Sequence, residues 1–188
     1  GKTVTLSGTT YGGADAANYT FTDQASTTAA ITPKAATLSG LTAANKVYDG
    51  TTSATVAHSG ATFTGLVTGD TVTASGTTGT FGTKQVGTGK TVTLSGTTYG
   101  GADAANYTFT DQANTTAAIT PKAATLSGLT AADKVYDGTT NATVAHSGAS
   151  FTGLVAGDTV TASGTTGTFA TKQVGTGKTV TLSGTTYG

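Results

Sequence analysis

The sequence predicts an all-β protein made of repeated small β-sandwiches. Three observations predict it: a composition dominated by Thr and Gly, short alternating apolar stretches between turn signals, and a near-perfect internal repeat. Of 188 residues, 50 are Thr and 28 are Gly. Thr is β-branched and stiff at χ1, so it favours strands. Gly permits the positive-φ turns that join them. Glu, Arg and Met are absent and Leu is infrequent, which removes most good helix formers.

The repeat organises the chain. Gly1-Lys2-Thr3-Val4-Thr5-Leu6-Ser7-Gly8-Thr9-Thr10-Tyr11-Gly12 recurs at 89–100 and again at 177–188, a period of 88 residues. Residues 1–100 and 89–188 differ at six aligned positions: Ser26/Asn114, Asn45/Asp133, Ser53/Asn141, Thr62/Ser150, Thr68/Ala156 and Gly82/Ala170. All six are small or polar exchanges, which predicts solvent-facing sites. The period is too long for a solenoid coil, whose repeats run to about 20–50 residues. It suits one small domain per repeat.

Pro33 and Pro121 are the only prolines. Pro cannot donate to a strand ladder, so both read as punctuation between repeats. The expected organisation is therefore 1–34 as the C-terminal part of a preceding repeat, 35–122 as one complete repeat, and 123–188 as the N-terminal part of a following one. With no Met at all, the chain reads as an internal piece of something longer.

Period-two alternation marks Thr3–Leu6, Asn18–Thr22, Thr28–Ile31, Thr37–Ser39, Ala54–Val56, Thr71–Ala74 and Thr80–Phe81 as strands. Turn signals separate them, including Tyr48-Asp49-Gly50 and Thr68-Gly69-Asp70. The expected core of the complete repeat is Leu38, Leu41, Val47, Tyr48, Val56, Phe63, Leu66, Val67, Val72, Phe81, Val86, Val92, Leu94, Tyr107, Phe109 and Ile119. Seven to nine short strands around such a core read as a sandwich.

Charge narrows the partners. Nine Lys balance nine Asp, giving zero net charge. A nucleic-acid binder needs a basic excess, and an anionic-membrane binder needs clustered Lys or Arg. The sequence shows neither feature, and no apolar run is long enough to span a bilayer.

Each candidate site has a plain structural counterpart. Tyr48-Asp49-Gly50 and Tyr136-Asp137-Gly138 read as turns, with Asp bonding backbone N–H groups and Gly at positive φ. Asp15, Asp70, Asp103 and Asp158 offer oxygen ligands for Ca²⁺ between repeats, but no D-x-D-x-D run gathers them. No cofactor is expected. Asp103 to Tyr107, and Asp15 to Tyr19, read as a turn delivering Tyr to the core, with the Asn side chain bonded to backbone. His58 and His146 stand alone, without the further ligands a metal centre requires. Gly87-Thr88-Gly89-Lys90-Thr91 lacks the spacer of a phosphate loop. Lys46, Lys84 and Lys90 are candidate donors for an isopeptide staple to Asn. No Ser, His and acid stand at a specific spacing, so an enzyme is not expected.

Taken together, Lys46-Val47-Tyr48-Asp49-Gly50-Thr51-Thr52, Gly69-Asp70-Thr71-Val72, Val86–Val92, Gly101-Ala102-Asp103-Ala104-Ala105-Asn106-Tyr107 and Ala118-Ile119-Thr120-Pro121 resemble the YDG repeat, which is similar to the MBG repeats. Such repeats occur in arrays within large bacterial surface proteins, including filamentous-haemagglutinin-like adhesins. The resemblance implies tandem immunoglobulin-like β-sandwiches, secretion to the cell surface, and a part in adhesion or biofilm formation. The expected role is a structural stalk projecting a distal binding region. Two alternatives stand beside it. In one, each repeat binds an exopolysaccharide or host glycan weakly and the array gains avidity, with Tyr11 and Tyr99 as the rings to check. In the other, partial repeats complete one another head to tail into a filament.

Overall fold

A computed structural model describes residues 1–188. The chain is all-β, with two single-turn 3₁₀ segments at Ala16–Asn18 and Ala104–Asn106. No helix is long and apolar enough to cross a membrane. The first strands are β1 (Lys2–Thr5) and β2 (Ser26–Ala29). Next come β3 (Lys34–Ser39), β4 (Thr42–Ala43), β5 (Lys46–Val47), β6 (Ser53–Ala54), β7 (Val56–Ala57) and β8 (Thr62–Thr64). Then follow β9 (Thr73–Ser75), β10 (Thr78–Phe81), β11 (Gly87–Ser95), β12 (Thr98–Gly100), β13 (Tyr107–Thr110) and β14 (Asn114–Thr120). The remainder holds β15 (Thr125–Ser127), β16 (Thr130–Ala131), β17 (Asn141–Ala142), β18 (Val144–Ala145), β19 (Ser150–Thr152), β20 (Ala162–Ser163), β21 (Thr166–Phe169), β22 (Val180–Ser183) and β23 (Thr186–Tyr187). Pro33 directly precedes β3 and Pro121 directly follows β14.

The largest sheet has the order β5-β14-β11-β10-β6, and a three-stranded sheet runs β13-β3-β8. Two pairings are parallel. β13 lies on β3 with Tyr107 opposite Lys34, and β14 lies on β5 with Ile119 opposite Lys46. Each joins the front of the repeat to its back, because parallel neighbours cannot be linked by a tight hairpin. The later strands reproduce the earlier registers: Leu38 faces Phe63 across β3–β8, and Leu126 faces Phe151 across β15–β19.

The chain gathers into two compact units. One comprises Gly1–Ala43, Thr55–Thr80 and Val92–Thr115; the other comprises Ala44–Ala54, Phe81–Thr91 and Thr116–Gly188. The first buries Ala36, Leu38, Leu41, Val92, Leu94 and Tyr107. The second buries Phe81, Ala117 and Ile119. Alternation accounts for the pattern: in β3 Ala36 and Leu38 point inward, and in β11 Val92 and Leu94 do, while the intervening threonines face water. Gln112 closes the first unit. Its side chain accepts from Leu41 N and donates to Leu41 O, both at 2.9 Å, taking both polar groups of one backbone residue.

Several expectations are corrected. Val47, Val67 and Val86 are exposed rather than core. For Val47 the cause is the phase of β5, which turns Lys46 inward and Val47 outward. Tyr48, Val56, Phe63, Leu66, Val72 and Phe109 are half-buried. Tyr19-Thr20-Phe21 forms no strand, although the same sequence at Tyr107–Thr110 is β13. Tyr19 is 68% exposed and Tyr107 7%. The difference is the partner: β13 has β3 beside it, and Tyr19–Phe21 has no strand beside it. The six positions that differ between repeats are exposed in both copies.

Identical residues in filled and unfilled settings allow a direct test. Ile119 is 1% exposed and Ile31, its counterpart, 82%. Ile119→Ala is expected to cost about 2–5 kcal/mol, the range for truncating a packed aliphatic side chain. Ile31→Ala is expected to stay within about 0.5 kcal/mol, as for an open surface site. Urea unfolding midpoints of the two variants measure the contrast.

Candidate functional site

The Tyr-Asp-Gly turns are the densest polar features of the chain. Between β5 and β6, Asp49 Oδ1 accepts three hydrogen bonds: from Lys46 Nζ at 2.8 Å, Thr51 N at 2.9 Å and Thr51 Oγ1 at 2.9 Å. Lys46 Nζ also donates to Thr51 O and Thr51 Oγ1, both at 2.9 Å. An ammonium has three protons, and here each has an acceptor. The Thr51 hydroxyl accepts from Lys46 and donates to Asp49, so the cluster closes on itself. Gly50 has φ +81°, a conformation that side-chain-bearing residues rarely adopt. Tyr48 is half-buried, and its N–H donates to Thr120 O at 2.8 Å.

The Lys46 side chain is 17% exposed, and its ammonium lies 5.6 Å from the centre of the buried Phe81 ring. The aliphatic stem thus covers apolar surface while the charged head reaches the turn. Hydrogen bonds from Lys46 and then Thr51 hold the Asp49 carboxyl down to about 2.

The second turn repeats this geometry. Lys134 Nζ lies 2.8 Å from Asp137 Oδ1, with Thr139 N at 2.9 Å from the same oxygen and Phe169 5.7 Å from the ammonium. Asp137 is likewise held down to about 2, by Lys134 and then Thr139. Yet Val135 is 89% exposed there, and residues 134–135 form no strand. The clamp therefore assembles from local sequence and does not need a closing strand beside it.

The other candidates are placed as follows. Asp70 and Asp103 both accept bonds from protein donors. Asp70 takes the Tyr107 hydroxyl, while Asp103 Oδ2 takes Thr71 N at 2.8 Å and Thr71 Oγ1 at 3.3 Å. Tyr107 Oη also accepts from Val67 N at 2.9 Å, so this one phenol ties a loop to β13. The 3₁₀ turn after Asp103 delivers Tyr107 to the core, but the anchoring side chain is Asp103 and not Asn106. Asp158 lies 3.8 Å from Lys84, and Asp15 precedes the exposed 3₁₀ turn at Ala16–Asn18. No three acidic or histidine side chains converge. His58 Nε2 meets Thr77 Oγ1 at 3.0 Å, which in turn meets Thr97 Oγ1 at 2.9 Å; His146, Thr165 and Thr185 repeat the chain. Lys90 Nζ donates to Thr83 Oγ1 at 2.9 Å.

Tyr99 stacks on Phe109 with centroids 3.8 Å apart, Phe63 meets both rings edge-on, and the Tyr99 hydroxyl donates to Asp111. Burial, and then the Asp111 carboxylate, push this phenol above its ordinary value. Tyr11 stacks on Phe21 in the same way, with its hydroxyl on Asp23.

The clamp has a pH signature. A carboxyl depressed in the folded state contributes stability that is fully present above its ordinary value of 3.8 and lost as pH falls through about 2. The Asp49 and Asp137 carboxyl resonances are expected to titrate near 2, and Lys46→Met is expected to move only Asp49 back toward 3.8. Carbon-detected NMR titration reads both sites separately.

No curated protein and no solved structure matches the chain. The family model of the YDG domain matches residues 32–117 and again 120–188, with each match containing one Tyr-Asp-Gly clamp. The chain belongs to the YDG domain family, whose model covers it in these two segments.

Proposed function

We propose that this chain is a spacer array of a bacterial surface or extracellular-matrix adhesin, in which tandem immunoglobulin-like β-sandwiches of 88 residues project a distal binding region. In this reading residues 35–122 are one complete repeat, Pro33 and Pro121 punctuate the array, and the role is mechanical rather than enzymatic. The setting is extracellular, in adhesion or biofilm formation.

One observation carries the reading: the groups that would bind a ligand are engaged within the fold. A glycan site needs an aromatic face and free hydrogen-bonding groups. In the complete repeat Tyr99 gives its face to Phe109 and its hydroxyl to Asp111. The Tyr107 hydroxyl is held by Asp70 and Val67, and the three Lys46 protons are all accepted within the turn. No buried side-chain nitrogen or oxygen lacks a partner. A surface of exposed threonines with zero net charge also suits a spacer, because it attracts no class of ligand strongly.

A head-to-tail filament is favoured by a different observation. Ile31 is 82% exposed on the segment that corresponds to β14, and a groove lined by Lys134, Tyr136, Phe169, Val174 and Val180 lies at the position corresponding to the seat of β14. Light scattering across a wide concentration range tests it, and a monomer throughout excludes it.

The spacer reading predicts that an in-phase three-repeat protein binds bacterial exopolysaccharides and host glycans no better than a single repeat, with neither binding at high micromolar concentration. Glycan-array binding followed by calorimetry checks this. Clear avidity of three repeats over one would replace the spacer with a lectin-like array.

A further inference from the structure

The Tyr48-Asp49-Gly50 turn meets the repeat that follows it. A Cβ built on Gly50 would lie 2.8 Å from Val155 Cγ1, closer than carbon atoms pack. Nearby in sequence to β11, Lys84 Nζ stands 3.8 Å from Asp158 Oδ1. Gly50 and Lys84 come from the repeat between the two prolines. Val155 and Asp158 come from the Gly153-Leu154-Val155-Ala156-Gly157-Asp158 loop after Pro121. All four residues lie in the second compact unit.

The repeat supplies its own controls. Gly138 has the same turn and the same positive φ, yet a Cβ there would meet nothing within 4 Å. Val67, the counterpart of Val155, is 51% exposed, whereas Val155 is half-buried. Asp70 and Lys172, the counterparts of Asp158 and Lys84, form no ion pair. The contacts therefore exist only where one repeat's turn is followed by another repeat's loop.

We propose that the Tyr-Asp-Gly turn is the docking knuckle of an inter-repeat joint, which receives the Leu-Val loop and its Asp from the next YDG domain. Gly50 is required twice, once for its backbone conformation and once because its missing side chain admits the Val155 methyl. The Lys46–Asp49–Thr51 clamp holds the turn in shape before the loop arrives, as its duplicate does at Asp137 with nothing seated on it. The ion pair is long and about half exposed on the lysine side, so it adds direction more than strength. The methyl contact is the firmer element. The joint stands independently of the spacer reading: a repeat could dock on its successor whatever the array binds.

The chain contains no Cys, so paired spin labels can be placed cleanly. Labels at the exposed positions Thr116 and Thr143, on either side of Pro121, report the joint through their electron–electron distance distribution. The expected result is one narrow distribution for the otherwise unaltered chain. Val155→Asp, Gly50→Ala and Lys84→Asp are each expected to broaden it. Val67→Asp and Gly138→Ala, which make the same chemical changes where nothing docks, are expected to leave it unchanged. Lys84 is an exposed residue, so its variant keeps the test alive if Val155→Asp disturbs its own loop. A broad distribution in the unaltered chain, or equal broadening by Gly50→Ala and Gly138→Ala, overturns the joint.

Discussion

The fold depends on the parallel pairing of the opening strands of a repeat with its closing strands. β3 takes β13 along its edge and β5 takes β14. Every buried apolar side chain falls between Ala36 and Ile119, the span those pairings close. Where they are missing, the same residues remain in water. Tyr19, Phe21 and Ile31 are exposed, and Val4 and Leu6 are 39% and 38% exposed, although Val92 and Leu94 at the equivalent positions are buried. Burial here is a property of strand partnership before it is a property of residue type. Closing such distant segments costs chain entropy before any contact repays it, so folding should be governed by this step.

A second principle is the division between cooperative and local structure. The sandwich core needs both ends of the repeat. The Lys-Asp-Thr clamp needs only six consecutive residues and forms equally well at Lys46–Thr51 and Lys134–Thr139. A chain entropy already reduced by the clamp makes the turn a fixed projection on an otherwise closing fold. That independence explains how a turn can serve as both a brace over Phe81 and a contact for a neighbouring loop. It also explains the identity of the motif: Lys supplies reach and three protons, Asp the acceptor, Gly the positive φ, and Thr the bridging hydroxyl.

Threonine abundance acquires a physical reading from the same geometry. On outward faces the hydroxyls pair across strands, as Ser39 does with Thr62 and Ser75 with Thr98. Inward, Thr77 and Thr165 connect a histidine to a second threonine without leaving an unsatisfied group. A protein with little charge and modest apolar content thus covers its sheets with short, stiff, hydrogen-bonding side chains.

The sequence by itself determined the strand-and-turn character, the period of 88 residues, the solvent-facing nature of the six variable positions and the turn chemistry of Tyr-Asp-Gly. These are legible because alternation, glycine conformation and side-chain-to-backbone bonding act over a few residues. Only the tertiary structure decided that Val47 faces water while Lys46 packs on Phe81, that Gln112 clips Leu41, that Asp103 rather than Asn106 anchors its turn, and that Tyr19 and Tyr107 have opposite environments despite identical neighbours. Each of these turns on a partner far away along the chain. Alternation names two faces of a strand but does not say which one faces the core, and an edge strand of two residues carries too little pattern to decide. Pairing between the ends of a repeat decides whether Tyr107 and Ile119 are covered, where Tyr19 and Ile31 are not.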